Sequence, residues 1–452
     1  MVAEAIERRG HTVRMLDLMF AKDPVGALRS ALREGHPDVI GLSVRNIDNN
    51  DMQEPAFFIK DLLPLIDLVR ESSESPIVLG GSAMGVMPEQ ILQYTGASYG
   101  VLGDGEIVFP GLLEALSNGG SVERLPGVVW RDRSRIRMNR EPSGPNSDSC
   151  WIPDLPRWID LRAYSSTMAT VPIQSKLGCH FKCIYCTYRR IEGSGYRLFR
   201  PESVVDAVKR VESMGLRDLE FVDSVFNSPY DHTMAVLEAL ARVRHKTRLQ
   251  SLELNPLGLD DDLVRAMERA GFVGIGITVE SASGKVLERL GKGFGETEVH
   301  KAAEVVRRHE LPCLWIFLLG GPGETKQTVM QTLRFVKEHI RPKDAVFFNT
   351  GIRIYPGTGI EAIARREGLL TLRAEEMLSP VFYLSPEIEL EWVAGQVRSL
   401  MDAHPNVMGS DPIELPLVTT IHRLAYRLGL KPPLWRHTRL IRRFLKITGI
   451  HP

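Results

Sequence analysis

Apolar residues recur along this chain in two alternating rhythms. Between residues 11 and 117, short β-branched runs alternate with longer stretches that repeat every three to four positions. "PDVIGLSV" (37–44), "SPIVLGG" (75–81) and "SYGVLGDGE" (98–106) read as buried parallel strands. "EPAFFIKDLLPLIDLVRES" and "EQILQYT" between them read as helices. The opening, "VAEAIERRGHTVRMLDLMF", predicts a helix over 2–9 and a strand over 12–18. Doubly wound layers begin with a strand and then a helix, so the first strand of the pattern is missing here. "GVVWRDRSRIRMNR" (127–140) predicts a hairpin that closes this first domain, residues 1–140. The Pro-, Ser- and Asp-rich stretch after it predicts a linker over 141–164.

A second alternation starts near 165. Strands are expected at 171–176, 218–223, 248–254, 273–280, 312–319 and 345–354, with helices such as "PESVVDAVKRVESMG" between them. Six β-α units of this length predict a partial or full parallel barrel over 165–365. Residues 366–452 read as mostly helical, ending in the basic amphipathic "LWRHTRLIRRFLKITGI". That helix is expected to dock on the barrel with a solvated basic face; contact with an anionic or lipid surface is the sharper alternative. The fold class is therefore α/β: a flavodoxin-like or Rossmann-like domain, a barrel, and a mostly helical tail.

Composition adds little. The 452 residues carry 56 Lys plus Arg against 56 Asp plus Glu, so charge points to no nucleic-acid partner. No apolar run approaches a membrane span, and no signal peptide opens the chain. Five cysteines argue against a disulfide framework and for a reducing, cytosolic compartment.

Cysteine placement changes the picture. Three of the five fall in "LGCHFKCIYCTYRR" as Cys179-x3-Cys183-x2-Cys186. Buried structural cysteines would be scattered. Structural zinc needs four ligands, usually in two pairs, and no second pair exists. A dithiol redox motif needs only two. A 4Fe–4S cluster held by three thiolates, with one iron left open, fits this spacing. His180, inside the motif, reads as a loop residue.

Placed after the first strand of a β/α barrel, this motif resembles the radical S-adenosylmethionine (SAM) superfamily. The resemblance implies that the open iron chelates SAM and that reductive cleavage gives a 5′-deoxyadenosyl radical. Other segments follow the same pattern. "LEFVDSVFNSP" falls where the family binds the SAM amino group, implicating Asp223 and Ser224. "GIGITVESAS" resembles the fourth strand, near ribose, implicating Glu280 and Ser281, with Asn255 at the end of the third. "LWIFLLGGPGET" resembles the fifth-strand segment near adenine: Gly320, Gly321, Pro322 and Gly323. "GIRIYPGTG" resembles the sixth strand. Tyr185 stands where the family has an aromatic beside adenine.

The front domain, with "GLSVRNID", "VLGGSAMGVMPEQIL" and "YGVLGDGEIVFPGLLEAL", resembles that of the cobalamin-binding subfamily. "DLRAY" and "CTYRRIEGSGYRLFRPESVV" match it too. The small residues at strand ends, which let a corrin approach the backbone, make Ser43, Arg45, Gly80, Gly81, Ser82, Gly103 and Gly105 the candidate contacts. The D-x-H-x-x-G signature is absent; the domain holds only His11 and His36, so Arg45 becomes the candidate neighbour of the lower cobalt face.

The expected function is C-methylation of an unactivated carbon through methylcobalamin. The alternatives are a cyclase or rearrangement enzyme using the same cofactors, and a non-catalytic cobalamin or iron–sulfur sensor. A methylthiotransferase is disfavoured, because residues 1–149 contain no cysteine. The resemblance also implies a small-molecule or lipid substrate and a flavodoxin- or ferredoxin-type electron donor. Of the remaining residues, Cys313 reads as core or, less so, as a hydrogen donor inside the barrel. Cys150 reads as incidental, Arg200 and Glu202 as helix-capping, and Lys292 as either facing the cofactor or solvated.

Overall fold

The structure, a computed structural model, describes residues 1–133, 135–139, 150–409 and 415–447. The front sheet runs β1 (Ile40–Ser43), β2 (Ile77–Gly80), β3 (Tyr99–Val101), β4 (Val128–Asp132) and β5 (Arg135–Met138), in that spatial order. The first three pair in parallel, and β4 and β5 add the expected hairpin in antiparallel sense.

The predicted strand over 12–18 does not form. Those residues carry no ladder, and Met15, Leu16 and Met19 stay exposed. In the flavodoxin-type strand order 2-1-3-4-5 the second strand is an edge strand that pairs only with the first. Here a helix, Val2–Glu7, stands first, and β1 pairs on one side only among the described residues. An apolar run without a neighbour has nothing to bond its backbone, so it remains irregular.

The second half of the linker expectation is also modified. Residues 141–149 lie outside the described residues. From 150 onward the segment folds into two short helices, Leu155–Trp158 and Leu161–Ser166. Glu4 of the opening helix accepts the Trp158 indole N–H (3.2 Å), and Glu7 pairs with Arg157 at 2.6 Å.

The barrel strands are β6 (Val171–Ile173), β7 (Lys176–Leu177), β8 (Arg197–Leu198), β9 (Asp218–Phe221), β10 (Arg248–Leu254), β11 (Phe272–Glu280), β12 (Cys313–Leu319), β13 (Ala345–Thr350), β14 (Ile352–Arg353), β15 (Phe382–Tyr383) and β16 (Val407–Gly409). Seven form one parallel arc in the order β16-β13-β12-β11-β10-β9-β6; β7 pairs β8, and β14 pairs β15, as two-residue ladders. The arc has one strand more than expected. β16 comes from the region read as mostly helical, since three residues are too few to show a period in sequence.

Helices cover the outer face. In Pro201–Ser213, proline opens the first turn, and Val204, Val208 and Val211 turn one stripe into the sheet. Asp260 caps Asp261–Arg269 by accepting the Leu263 N–H. Arg200 stands at the N-cap position before Pro201–Ser213 but makes no side-chain capping bond; Glu202 lies in the first turn, where an acid complements the helix dipole. Cys313 packs among the helix-facing side chains and is fully buried, so the alternative of a donor inside the barrel falls.

The basic C-terminal segment docks as expected. The Trp435 ring lies over Gly274, where a Cβ would sit 2.8 Å from it, and Arg442 donates to the Val407 carbonyl. Among the described residues, no helix is long and apolar enough to cross a membrane.

The two domains share a core. Ile47, Ile59, Ile66 and Leu79 belong to the same apolar cluster as Leu290, Ile352, Ile354 and Tyr383. Arg353 crosses the boundary, donating to Asp48 at 2.7 Å and to the Met377 and Leu378 carbonyls, with both charges buried.

Candidate functional site

The cysteine loop is held from three sides. Gly178 has φ +89°, and a Cβ there would collide with the Gly195 carbonyl, so only glycine turns the chain into the loop. Cys179 N–H donates to the Gly193 carbonyl (3.2 Å), Ile184 N–H to Leu290 (3.0 Å), and Ile360 N–H to Ile184 (3.0 Å). Burial pushes the Cys179 and Cys183 thiols up and Cys186 up to about 11. Such thiols stay protonated at neutral pH, and iron binding would displace their protons. Among the described residues no three His, Cys, Asp or Glu side chains converge on one ion. Mononuclear zinc would need that convergence. A cubane does not, since each thiolate takes a different iron, so the three cysteines fit a cluster. All five cysteines are free. His180 is exposed and meets the Tyr196 hydroxyl at 2.6 Å, as a loop residue would.

Beside the loop lies a buried triad. Tyr185 donates to Glu280 (2.6 Å), and Lys292 donates to both Glu280 and the Tyr185 oxygen (3.1 Å each). Lys292 is 5% exposed, which corrects the reading of it as solvated. Burial works against its charge, but Glu280 and Cys183 outweigh that and hold its pKa above the usual lysine value. Glu280 ends β11 at φ +67°, an unusual conformation for a residue with a Cβ, costing on the order of 1–3 kcal/mol. A strained, buried, paired carboxylate beside the cluster loop is a site feature rather than a strand end.

The other barrel candidates divide by accessibility. Asp223 is fully buried; its Oδ1 accepts from Ser175 N, Ser175 Oγ and Lys176 N, which clamps the end of β9 to that of β6, and its Oδ2 has no partner. Ser224, half-buried, donates to Glu192 (2.7 Å), which also accepts from Gly178 N and Gln174. Asn255 and Asn227 lock each other's turns. Ser281 is fully buried against Thr332. Gly320 (φ +96°), Gly321, Pro322 and Gly323 form a buried turn pinned by Glu324, which accepts from Gly320 N and Thr328 and is pushed up to about 7 by burial. Sequence reasoning missed Glu192 and Glu324. Both stand inside the motif-bearing segments, six residues after Cys186 and one after Gly323; an acid in so glycine-rich a loop was the available signal.

The front sheet presents a bare ledge. Ser43, Arg45, Gly81 and Gly103 are exposed at the strand ends, and Gly80 and Ser82 are half-exposed beside them. A Cβ on Gly80 would enter open space, and Gly81, at φ +94°, lies so close over Val44 that only glycine fits. Ser82 fixes the ledge by donating to the Arg45 carbonyl (2.7 Å). Gly105 is used differently: it opens the helix Gly105–Ser117 against Val2. The ledge fits a flat macrocycle laid on backbone, and neither His11 nor His36 lies in its loops. The helix after the ledge touches the segment after the cluster loop: Gly85 packs on Ile191, in the short helix Tyr188–Ile191 after Cys186. A separate cavity of about 340 Å³, lined by Met15, Phe20 and Trp158, shares none of these residues.

The radical SAM superfamily model matches residues 173–336, and the B12 binding domain model matches residues 1–113. The chain is 26% identical over 437 residues to a tryptophan 2-C-methyltransferase of Streptomyces laurentii, covering 82% of this chain and 72% of that one. It is 25% identical over 311 residues to the hopanoid C-3 methylase of Methylococcus capsulatus, covering 66% and 57%. The fold matches that of the radical SAM methyltransferase TsrM from Kitasatospora setae, solved with cobalamin and a [4Fe-4S] cluster, at TM-score 0.85 and 22% identity over 99% of this chain and 95% of that one. OxsB, a cobalamin-dependent SAM radical enzyme, matches at TM-score 0.66 and 15% identity, over 99% and 72%. The chain thus carries a segment that matches the B12 binding domain model ahead of one that matches the radical SAM superfamily model.

Proposed function

We propose that this protein is a cobalamin-dependent radical SAM methyltransferase that places a methyl group on a carbon of a small molecule. One observation supports the reading: the helix Ser82–Val86, which follows the glycine-rich ledge, packs on the helix Tyr188–Ile191, which follows the three-cysteine loop, Gly85 against Ile191. Two candidate cofactor sites whose flanking helices touch suit a transfer between cofactors and a shared substrate. When bound, the cluster would supply an electron, SAM a methyl or deoxyadenosyl group, and cobalamin a methyl carrier. The chain's own part is to hold and exclude. Cys179, Cys183 and Cys186 would ligate three irons. Lys292 and Tyr185 fix Glu280 beside them, and Asp223 and Ser224, the latter donating to Glu192, would receive the SAM amino group. Ser43, Arg45, Gly80 and Gly81 would cradle the corrin. A flavodoxin- or ferredoxin-type protein is the reductant this reading calls for. The names of the tryptophan 2-C-methyltransferase and of TsrM with bound tryptophan make an aromatic amino acid such as tryptophan the first substrate to try.

The test is direct. Protein reconstituted with iron, sulfide and cobalamin receives methyl-labelled SAM, a reductant and L-tryptophan, then other small molecules. Label in a carbon-methylated product is expected. Deoxyadenosine with no methylated product would favour a cyclase or rearrangement enzyme. Reconstituted protein with neither cluster absorbance nor any SAM turnover would sink the reading.

A further inference from the structure

Strand residues of the barrel divide into two sets. Leu249, Leu254, Ile277, Val279, Trp315 and Phe317 pack into the helix layer and are almost wholly buried. Glu220, Glu253, Thr278, Ile316, Leu318 and Phe347, on the opposite face, all keep partial exposure. This face is therefore not sealed by packing, and the side chains that line it are accessible.

The lumen's charges are nearly all accounted for. Asp218 is paired with Arg248 at 2.5 Å. Glu220 accepts from Gln250 Nε2 (2.5 Å) and Thr170 (3.0 Å). Glu280 holds Lys292 and Tyr185. Glu253 is the exception: its carboxylate makes no hydrogen bond among the described residues. On the same strand Gln250, 4% exposed, has an Oε1 that also lacks a partner. Two acceptors on one strand thus lack donors, and the Gln250 one is buried, where an acceptor without a donor is costly. Burial first, then the nearby Glu280 and Glu220 against an opposing Lys292, pushes the Glu253 carboxyl up to about 7.

The backbone is bent to aim it there. Ser251 pairs with Ile275 and Leu254 with Ile277, three steps on β10 against two on β11. That bulge turns Glu253 to the same side as Gln250, where strict alternation would have sent it among the helices. The partner position is Gly276, where a Cβ would lie 2.7 Å from the Leu252 Cα, so the bulge requires glycine opposite. Lys292 is committed to Glu280 and Tyr185, which leaves Glu220 and Glu253 without a cation of their own.

We propose that Glu253 is a substrate-binding residue that receives an ammonium group of the small-molecule substrate, an inference that rests on the methyltransferase reading above. An ammonium brings three donors to a site short of donors and positive charge. SAM also carries an ammonium, so the test must separate the two sources. Holoprotein reconstituted with cluster and cobalamin is titrated calorimetrically with tryptamine and with indole-3-propionate, a pair alike in shape and opposite in charge, and separately with SAM. The wild type should bind tryptamine at least about tenfold tighter than the acid. Glu253→Gln should lose that preference, Glu253→Asp should keep part of it, and SAM affinity should hold within about twofold in both. A wild type that binds both probes alike, or neither, overturns the assignment. A Glu253→Gln loss falling on SAM rather than tryptamine overturns it as well. No turnover is needed, so absence of methyl transfer with binding intact would sink the proposed function and leave this inference standing.

Discussion

The two ends of the barrel use similar residues to opposite purposes. At the N-terminal ends of the strands, Asp218 and Arg248 neutralise each other, and Trp435 closes the floor over Gly274. Toward the C-terminal ends, Glu253 makes no hydrogen bond among the described residues, and it stays partly exposed. A floor that is paired and plugged contributes stability. A mouth with open acceptors gives some stability up and holds binding capacity instead. Residue type alone does not say which role an acid plays; its neighbours do.

The largest expected effect is at the mouth. Cys183→Ala should remove the cluster and all turnover, read as lost iron and lost visible absorbance after reconstitution, while the apo fold persists. Lys292→Met should come next. It strands Glu280 in a buried site, and apo unfolding in urea should show a loss of about 3–5 kcal/mol. The double variant Lys292→Met/Glu280→Gln should recover most of it. Trp435→Ala should cost about 2–3 kcal/mol by lost burial and leave SAM affinity unchanged. A binding defect there would erase the contrast between floor and mouth. The smallest effect has the opposite sign. Glu253 has a folded pKa near 7, above the ordinary carboxylate value of 4.5. Between those two pH values the unfolded chain ionises and the folded one resists, so stability falls as pH rises, and the loss is full above pH 7. Glu253→Gln should therefore stabilise the apo protein on the order of 1–2 kcal/mol at pH 8, with the gain shrinking toward pH 5. The same substitution that weakens amine binding would strengthen the fold.

What sequence shows and what it hides follow from range. The cysteine triplet is a local pattern, and local spacing sets the chemistry it can hold. The barrel strands are legible because β-branched runs between helical periods have few other uses. Glu253 is hidden because a single bulge reverses which way it faces, and nothing in "SLELN" announces a bulge; only Gly276, on the next strand, makes room for it. Lys292 reads as either cofactor-facing or solvated until Glu280, twelve positions earlier, is folded against it. The strand expected over 12–18 fails for the converse reason: its pattern is sound, but a strand exists only with a neighbour.

The core running from Ile59 and Ile66 into Ile354 and Tyr383, fastened by Asp48 and Arg353, bears on cooperativity. Exposing it on either side would uncover apolar surface on both, so the front domain and the barrel should melt in one transition. It also means that the cobalamin-binding half is not an interchangeable module. A chimera with another front domain would need to carry over the loop around Ile47 and Asp48, or the barrel would lose a wall along with a cofactor.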